Sequence, residues 1–174
     1  LIIIGGKSRH YHFRKKVVNQ QIEWLLNNQF KDYQWKITTS PRSPNLDIPK
    51  HSGNAEFFSW KDTEEDWLTE EIKQSEVTFL TPESVSVLYE GLSTNTKVYV
   101  FHHEHHTADQ YGSEKKTKVT KNIDKLKLQG QIGYIDSKRY MLSRSIKSAD
   151  LKHPKISKPL RETKRVVEKL FEIL

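Results

Sequence analysis

Short apolar runs alternate with longer amphipathic segments along most of the chain. The apolar runs predict five strands, at residues 1–5, 35–39, 55–60, 76–80 and 97–101. Elsewhere apolar residues recur every three to four positions, which predicts helices over residues 13–28, 63–75 and 113–128, one beginning in the segment TPES at residues 81–84, and one after residue 159.

This alternation is typical of an α/β protein, and it predicts a doubly wound, Rossmann-like parallel sheet with helices on both faces. The expected strand order is third, second, first, fourth and fifth. We expect residues 1–136 to form this domain. Residues 137–174 are expected to form a tail, whose terminal amphipathic helix packs on the same domain or on a missing amino-terminal domain.

In a sheet of this order the winding direction reverses between the first and fourth strands, and ligands bind there, beyond the carboxyl ends of the strands. After the first strand, Gly5 and Gly6 would let the backbone approach a diphosphate. After the fourth strand, Thr81 as N-cap and Pro82 at the first helical position would begin a helix aimed at the same spot. The pattern therefore predicts an anion site at this switch point.

Three polar residues of the same helix, Glu83, Ser86 and Glu90, would share one face that borders the cleft. Plainer interpretations stay open, because a Gly-Gly pair after a strand is often only a tight turn, and polar residues near a helix start are often caps or solvated side chains.

The letters GGKS resemble the end of a Walker A loop, G-x-x-x-x-G-K-[ST]. That motif would place its first glycine at position 1, which is Leu1, inside the first predicted strand. The spacing therefore excludes a P-loop, and what is left is a strand, a Gly-Gly turn and a helix.

Composition limits the classes of function further. The chain has 174 residues, a formal net charge of +7 and no cysteine, which favours anionic partners and excludes disulfides and thiol chemistry. No segment approaches the roughly 18 apolar residues of a membrane span. We therefore expect a soluble, cytoplasmic protein, or one that is peripheral at a membrane.

The segment FHHEHHT follows the fifth predicted strand. His102, Glu104 and His106 would lie on one side of a continuing strand, and imidazole and carboxylate are good zinc or nickel ligands. Adjacent histidines in a loop point in different directions, however, and a metal site normally draws ligands from several elements. We favour a polar loop and no metal site, with His103 or His105 as an alternative contact for a phosphate.

Four blocks of sequence, in order, resemble the mitochondrial fission factor family that is named for elongated mitochondria in plants and has bacterial members with a domain of unknown function. The blocks are IGGKSRHYHF, WKITTSPRSP with the following FFSW, VTFLTPESVSVLYEGLSTNTKVYVF and PLRETKRV, and they span residues 1 to about 168. The chain departs from the family pattern at five positions, with Lys7 for Pro, Ser43 for Thr, Glu83 for Asp, Val87 for Met and Gly91 for Ala.

The resemblance implies a two-domain, GT-B-like glycosyltransferase architecture, of which this chain is similar to the carboxyl-terminal half. In such enzymes that half binds the nucleotide-diphosphate-sugar donor. The resemblance implies that Gly5 to Ser8 face the diphosphate, that Ser84 and Ser86 contact phosphate or sugar, and that Glu90 contacts the ribose. The expected ligand-binding residues are Gly5, Gly6, Lys7, Ser8, Arg42, Thr81, Glu83, Ser84, Ser86 and Glu90.

Arg42 is included because a guanidinium pairs bidentately with a phosphate. The acceptor site and catalytic base would lie on the missing half, so the chain alone is expected to be inactive. Besides this donor-binding hypothesis, a non-catalytic member of the family would act through protein contacts or an anionic membrane surface, for instance through the lysine-rich face of Lys118, Lys121 and Lys125. Nucleic-acid binding is disfavoured, because only the net charge supports it.

Overall fold

The computed structural model describes residues 1–46, 51–105, 116–136 and 150–156, together with Pro159. Its strands are β1 (Ile2–Ile4), β2 (Tyr11–His12), β3 (Trp35–Thr39), β4 (His51–Ser52), β5 (Ala55–Phe58), β6 (Val77–Leu80), β7 (Lys97–Val100), β8 (Glu104–His105), β9 (Gly133–Asp136) and β10 (Asp150–Lys152). Its helices are α1 (Lys15–Trp24), which continues as a π-helical turn (Leu25–Gln29), α2 (Trp67–Gln74), α3 (Val85–Leu92) and α4 (Lys118–Leu128).

The described residues form one eight-stranded sheet of order β10-β9-β7-β6-β1-β3-β5-β4. Neighbouring strands from β9 to β5 pair in parallel, whereas β10 and β4 close the two edges in antiparallel. The five strands predicted from the sequence are β1, β3, β5, β6 and β7, and their predicted order is confirmed. The α/β, Rossmann-like class is likewise confirmed.

Both faces of the sheet are buried, as the side-chain alternation of a central strand requires. In β1, Ile2 and Ile4 enter one core cluster, which α1 covers, while Ile3 enters the other. The second cluster contains Ile72 of α2 and residues of α3 and α4, so three helices cover that face. The apolar run at the start of the chain is therefore the centre of a doubly wound sheet.

Several short elements carry too weak a pattern for sequence-based prediction. The strands β9, β10 and β4 have two to four residues each, and β2 and β8 form a separate two-stranded sheet. β10 lies inside the predicted tail and pairs with β9. The division of the chain at residue 136 stays a prediction, and the predicted terminal helix after Pro159 lies outside the described residues.

Candidate ligand-binding site

A cavity of about 520 Å³ opens at the carboxyl end of the central strands. Ile3 of β1 and the end of β3 form part of its wall, and the remaining wall comes from the segments that follow β3, β5 and β6. Ligand pockets in proteins commonly have volumes of about 300–1,000 Å³. The lining residues are Ile3, Thr38 to Arg42, Trp60, Thr63 to Glu65, Trp67, Leu68 and Glu83 to Val87.

The helix start beside this cavity differs from the prediction. α3 begins at Val85 with Ser84 at the N-cap position, not at Pro82 with Thr81 as N-cap. Residues 81–84 instead form a turn, in which the Ser84 N–H donates to the Thr81 carbonyl at 3.1 Å. The Thr81 side chain is engaged elsewhere and cannot cap the helix. The Ser84 side chain makes no cap hydrogen bond either, so the first N–H groups of α3 are not satisfied by it.

Thr81 joins the ends of β1 and β6 instead. Its Oγ1 accepts a hydrogen bond from the Gly5 N–H at 2.7 Å and donates one to Oε1 of Glu83, also at 2.7 Å. The Thr81 side chain is fully buried. The two loops that were predicted to flank the switch point therefore do meet, through this hydroxyl.

Close packing against neighbouring loops explains why residues 5 and 6 are both glycine. A Cβ on Gly5 would lie 2.1 Å from Glu83 Oε1, and a Cβ on Gly6 would lie 2.0 Å from the Arg42 carbonyl oxygen. Both distances are far below any real contact, so each position requires glycine for close approach. The two glycines approach lining residues of the cavity but are not themselves among them.

Glu83 is the most buried acidic group at the site, and its side chain is 1% exposed. Burial raises the pKa of its carboxyl, while the Thr81 hydroxyl, the Glu83 and Gly6 backbone and the positive charge of Arg42 act in the opposite direction. Oε2 of Glu83 has no hydrogen-bond partner among the described residues. It faces Nδ1 of His103 at 3.8 Å, which is too long for a hydrogen bond.

His103 is held neutral in this position. Burial, with a smaller effect from His102, lowers its pKa to about 3. The rings of Tyr11 and Phe13 pack edge-on against it at centroid distances of 6.4 and 5.4 Å. His103 is thus a core histidine beside the switch point, and the suggested phosphate contact through it stays a prediction.

The predicted site residues divide into those that line the cavity and those that do not. Arg42, Glu83, Ser84 and Ser86 line it, and Arg42 and Ser86 are exposed. The others lie outside its lining, although Gly5, Gly6 and Thr81 directly support it.

Three predicted residues lie further away. Lys7 is exposed, and Ser8 Oγ accepts hydrogen bonds from the N–H groups of His10 and Tyr11, which orders the turn before β2. Glu90 accepts a 2.5 Å hydrogen bond from the Thr69 hydroxyl, which joins α3 to α2. The ligand contacts proposed for these residues stay predictions.

Sequence reasoning missed the wall that follows β5. Trp60, Thr63, Glu64, Glu65 and Trp67 all line the cavity. The only sequence signal for them was position, because they follow the strand that neighbours β3 at the same edge of the sheet. Trp67 packs against Phe58 at a centroid distance of 5.1 Å, whereas Trp60 is 40% exposed.

Metal binding finds no support within the described ranges, which contain no group of three or more His, Cys, Asp or Glu side chains arranged to hold an ion. Glu104 instead forms a 2.7 Å ion pair with Arg14 beside the small β2–β8 sheet. His106, the third member of the predicted set, lies outside the described residues.

The fold and the cavity together define a Rossmann-like α/β domain with a cavity at the topological switch point of its sheet. The chain belongs to the mitochondrial fission ELM1 family, whose model matches residues 1–174. This confirms the family resemblance inferred from the sequence blocks. No curated protein and no solved structure matches the chain significantly. Within the part of the chain that the structure describes, no helix is both long enough and apolar enough to span a bilayer.

Proposed function

We propose that this chain is the donor-side domain of a glycosyltransferase-like protein and binds a nucleotide-diphosphate sugar in the cavity beside α3. The observation that carries the proposal is the convergence of the α3 start and Arg42 on one cavity at the switch point. In open α/β sheets this location is where ligands bind.

The diphosphate would lie at the start of α3. Backbone N–H groups at a helix start carry a partial positive charge and point outward, and here the Ser84 side chain does not occupy them. Ser84 and Ser86 line the cavity at this helix start, and the exposed Arg42 lines it from the loop after β3. This combination offers backbone, hydroxyl and bidentate guanidinium donors to phosphate oxygens.

Gly5 and Gly6 have a supporting role in this proposal. The Gly5 N–H donates to the Thr81 hydroxyl and so already has a partner, while the Gly6 N–H acts on the Glu83 carboxyl and lowers its pKa. A ligand phosphate would have to displace the Thr81 hydroxyl to bind the Gly5 N–H, and the Glu83 carboxyl to bind the Gly6 N–H. For Glu90 to contact a ribose, its hydrogen bond with Thr69 would have to open.

Calorimetric titration with a panel of nucleoside diphosphates and their sugar conjugates tests the proposal. We expect saturable binding of at least one of them, weakened about 10- to 100-fold by Arg42→Ala, because a charged hydrogen-bonding partner of an ion contributes about 1.5–3 kcal/mol. Arg42→Lys should recover only part of the loss, because a lysine cannot bind a phosphate bidentately.

Arg14→Ala provides the matched control. It removes the same charge from an exposed arginine that pairs with Glu104 and does not line the cavity. Its nucleotide affinity should equal that of the unmodified chain. Absence of binding at millimolar ligand, or equal weakening by Arg14→Ala and Arg42→Ala, would contradict the proposal.

A second candidate is a non-catalytic role at an anionic membrane surface. It is favoured by one observation, the exposure of Lys118, Lys121 and Lys125 along α4. Co-sedimentation with phosphatidylserine vesicles separates the two candidates. A surface role predicts that changing these three lysines to glutamate abolishes sedimentation while Arg42→Ala leaves it unchanged.

A further inference from the structure

Trp60 is an exposed aromatic side chain in the wall of the cavity. It is one of the few large hydrophobic residues of the described chain that are well exposed, at 40%, and it lines the cavity together with Trp67. Leaving an indole in water forgoes a large favourable burial. An exposed tryptophan in a cavity wall is therefore a natural surface for a ligand to cover.

The backbone on both sides of Trp60 is fixed by hydrogen bonds. The Asp62 N–H donates to the Ser59 carbonyl at 2.9 Å, and the Lys61 N–H donates to the Ser59 hydroxyl at 3.3 Å. The Thr63 hydroxyl donates to the Trp60 carbonyl at 3.3 Å. The indole is thus presented by an ordered turn, which limits the entropy that a ligand would lose in ordering it.

The two cavity tryptophans differ in their surroundings. Trp67 is already packed against the Phe58 ring. Trp60 has no aromatic neighbour among the described residues, and the Lys61 ammonium lies over its ring, 5.6 Å from the ring centroid. The Trp60 surface therefore combines an exposed indole that has no aromatic partner with a nearby positive charge, which suits a planar ring attached to an anionic group.

We infer that Trp60 is the stacking platform for the nucleobase of the ligand. This inference rests on the proposed function, and it adds that the base of the nucleotide contacts the cavity wall that follows β5. The phosphates would be held by Arg42 and the start of α3, on the other walls of the same cavity. Stacking tolerates any base, because every base has a π-face, so Trp60 contributes affinity for the base without selecting its identity.

Titrations with three probes test the inference: a nucleoside diphosphate that binds the unmodified chain, ribose 5-phosphate and inorganic pyrophosphate. Trp60→Leu keeps an apolar side chain of substantial size but removes the aromatic ring. This substitution should weaken binding of the nucleoside diphosphate about 10-fold or more, in line with the effect of removing a base-stacking side chain. It should leave ribose 5-phosphate and pyrophosphate unchanged within about twofold, and Trp60→Phe should retain most of the affinity.

Tryptophan emission gives a second readout. Because Trp60 is exposed, base stacking should quench its emission in the unmodified chain, and the quenching should largely disappear in Trp60→Phe although the nucleotide still binds. If the nucleoside diphosphate binds Trp60→Leu as well as the unmodified chain, the inference is wrong and the proposed function stands. If Trp60→Leu weakens pyrophosphate binding as much as nucleoside diphosphate binding, Trp60 acts on the site as a whole and the stacking role is wrong. If no nucleoside diphosphate binds the unmodified chain, both fail.

Discussion

Oε2 of Glu83 lies 3.8 Å from Nδ1 of His103, and each side chain is only 1% exposed. Neither atom has a hydrogen-bond partner among the described residues. Burial raises the pKa of Glu83 and lowers that of His103, so the environment favours the neutral form of both groups. Two buried polar side chains thus meet at the switch point, where burial disfavours a charge on each, and the Thr81 hydroxyl satisfies the other carboxyl oxygen of Glu83.

The first prediction concerns stability against pH. The folded chain holds His103 at a pKa of about 3, below its ordinary value of 6.5, so only the unfolded chain takes up this proton between those values. The contribution of neutral His103 to the free energy of unfolding is therefore fully present above about pH 6.5 and is lost as the pH falls towards 3. Between about pH 7.5 and about pH 4 the free energy of unfolding should therefore fall in both chains, but by about 3 kcal/mol less in His103→Leu than in the unmodified chain. Urea unfolding at the two pH values measures this difference.

The raised pKa of Glu83 changes the free energy of unfolding with pH in the opposite direction, because the fold favours the protonated form of this carboxyl. Its contribution to stability is present when the pH is below the ordinary pKa of 4.5, and it is lost as the pH rises through the raised pKa of the folded chain. Measuring Glu83→Gln in parallel separates the two effects. Identical pH dependence in His103→Leu and the unmodified chain would show that His103 is not held neutral by burial.

The second prediction concerns the hydroxyl that joins β1 to β6. Thr81→Val keeps the shape of the side chain but leaves the Gly5 N–H and Glu83 Oε1 without this partner. An unsatisfied buried polar group costs about 1–3 kcal/mol, so the free energy of unfolding should fall by at least that amount. Thr81→Ser keeps the hydroxyl and should recover most of the loss in urea unfolding. Equal stability of the Val and Ser variants would contradict the bridging role.

The third prediction concerns the Gly-Gly turn. In Gly6→Ala the new Cβ would meet the Arg42 backbone at 2.0 Å, so the loop after β3 must shift. Overpacking of this kind typically costs about 1–3 kcal/mol, and the shift should also weaken nucleotide binding because Arg42 lines the cavity. Thermal unfolding and calorimetric titration would measure the two effects.

Gly53→Ala is the control for this substitution. A Cβ there meets no atom within 4 Å, and the cost comes from its φ of 58°. It should lower stability by about 1–2 kcal/mol without changing nucleotide affinity. Unchanged nucleotide affinity in Gly6→Ala would mean that the turn does not position Arg42.

The central architecture was predictable because a doubly wound sheet leaves a strong mark on sequence. Buried parallel strands such as β1 and β6 read as apolar runs, and helices at amphipathic spacing separate them. The order of these strands follows from the handedness and shortness of their connections. Two- to four-residue edge strands such as β4 leave no such mark, and their pairing is decided by tertiary contacts.

The meeting of the two loops beyond β1 and β6 was predictable, but the details of their contact were not. Strand order placed the loops of Gly5 and Thr81 side by side, which the Gly5–Thr81 hydrogen bond confirms. The start of α3 was misplaced because Thr81 and Ser84 are both good N-cap residues, and the choice depends on Thr81 being recruited by another loop. The Trp60 wall could not be read from spacing, because its place at the cavity depends on how the segment after β5 folds.

Amide NMR of the ¹⁵N-labelled chain, titrated with nucleoside diphosphates, tests most directly whether the cavity at the switch point binds a nucleotide. We predict that the largest shifts fall on the N–H groups of Val85, Ser86 and Val87 at the start of α3, together with Arg42 and the indole N–H of Trp60. Shifts confined to the exposed face of α4, or no shifts at millimolar nucleotide, would contradict the account.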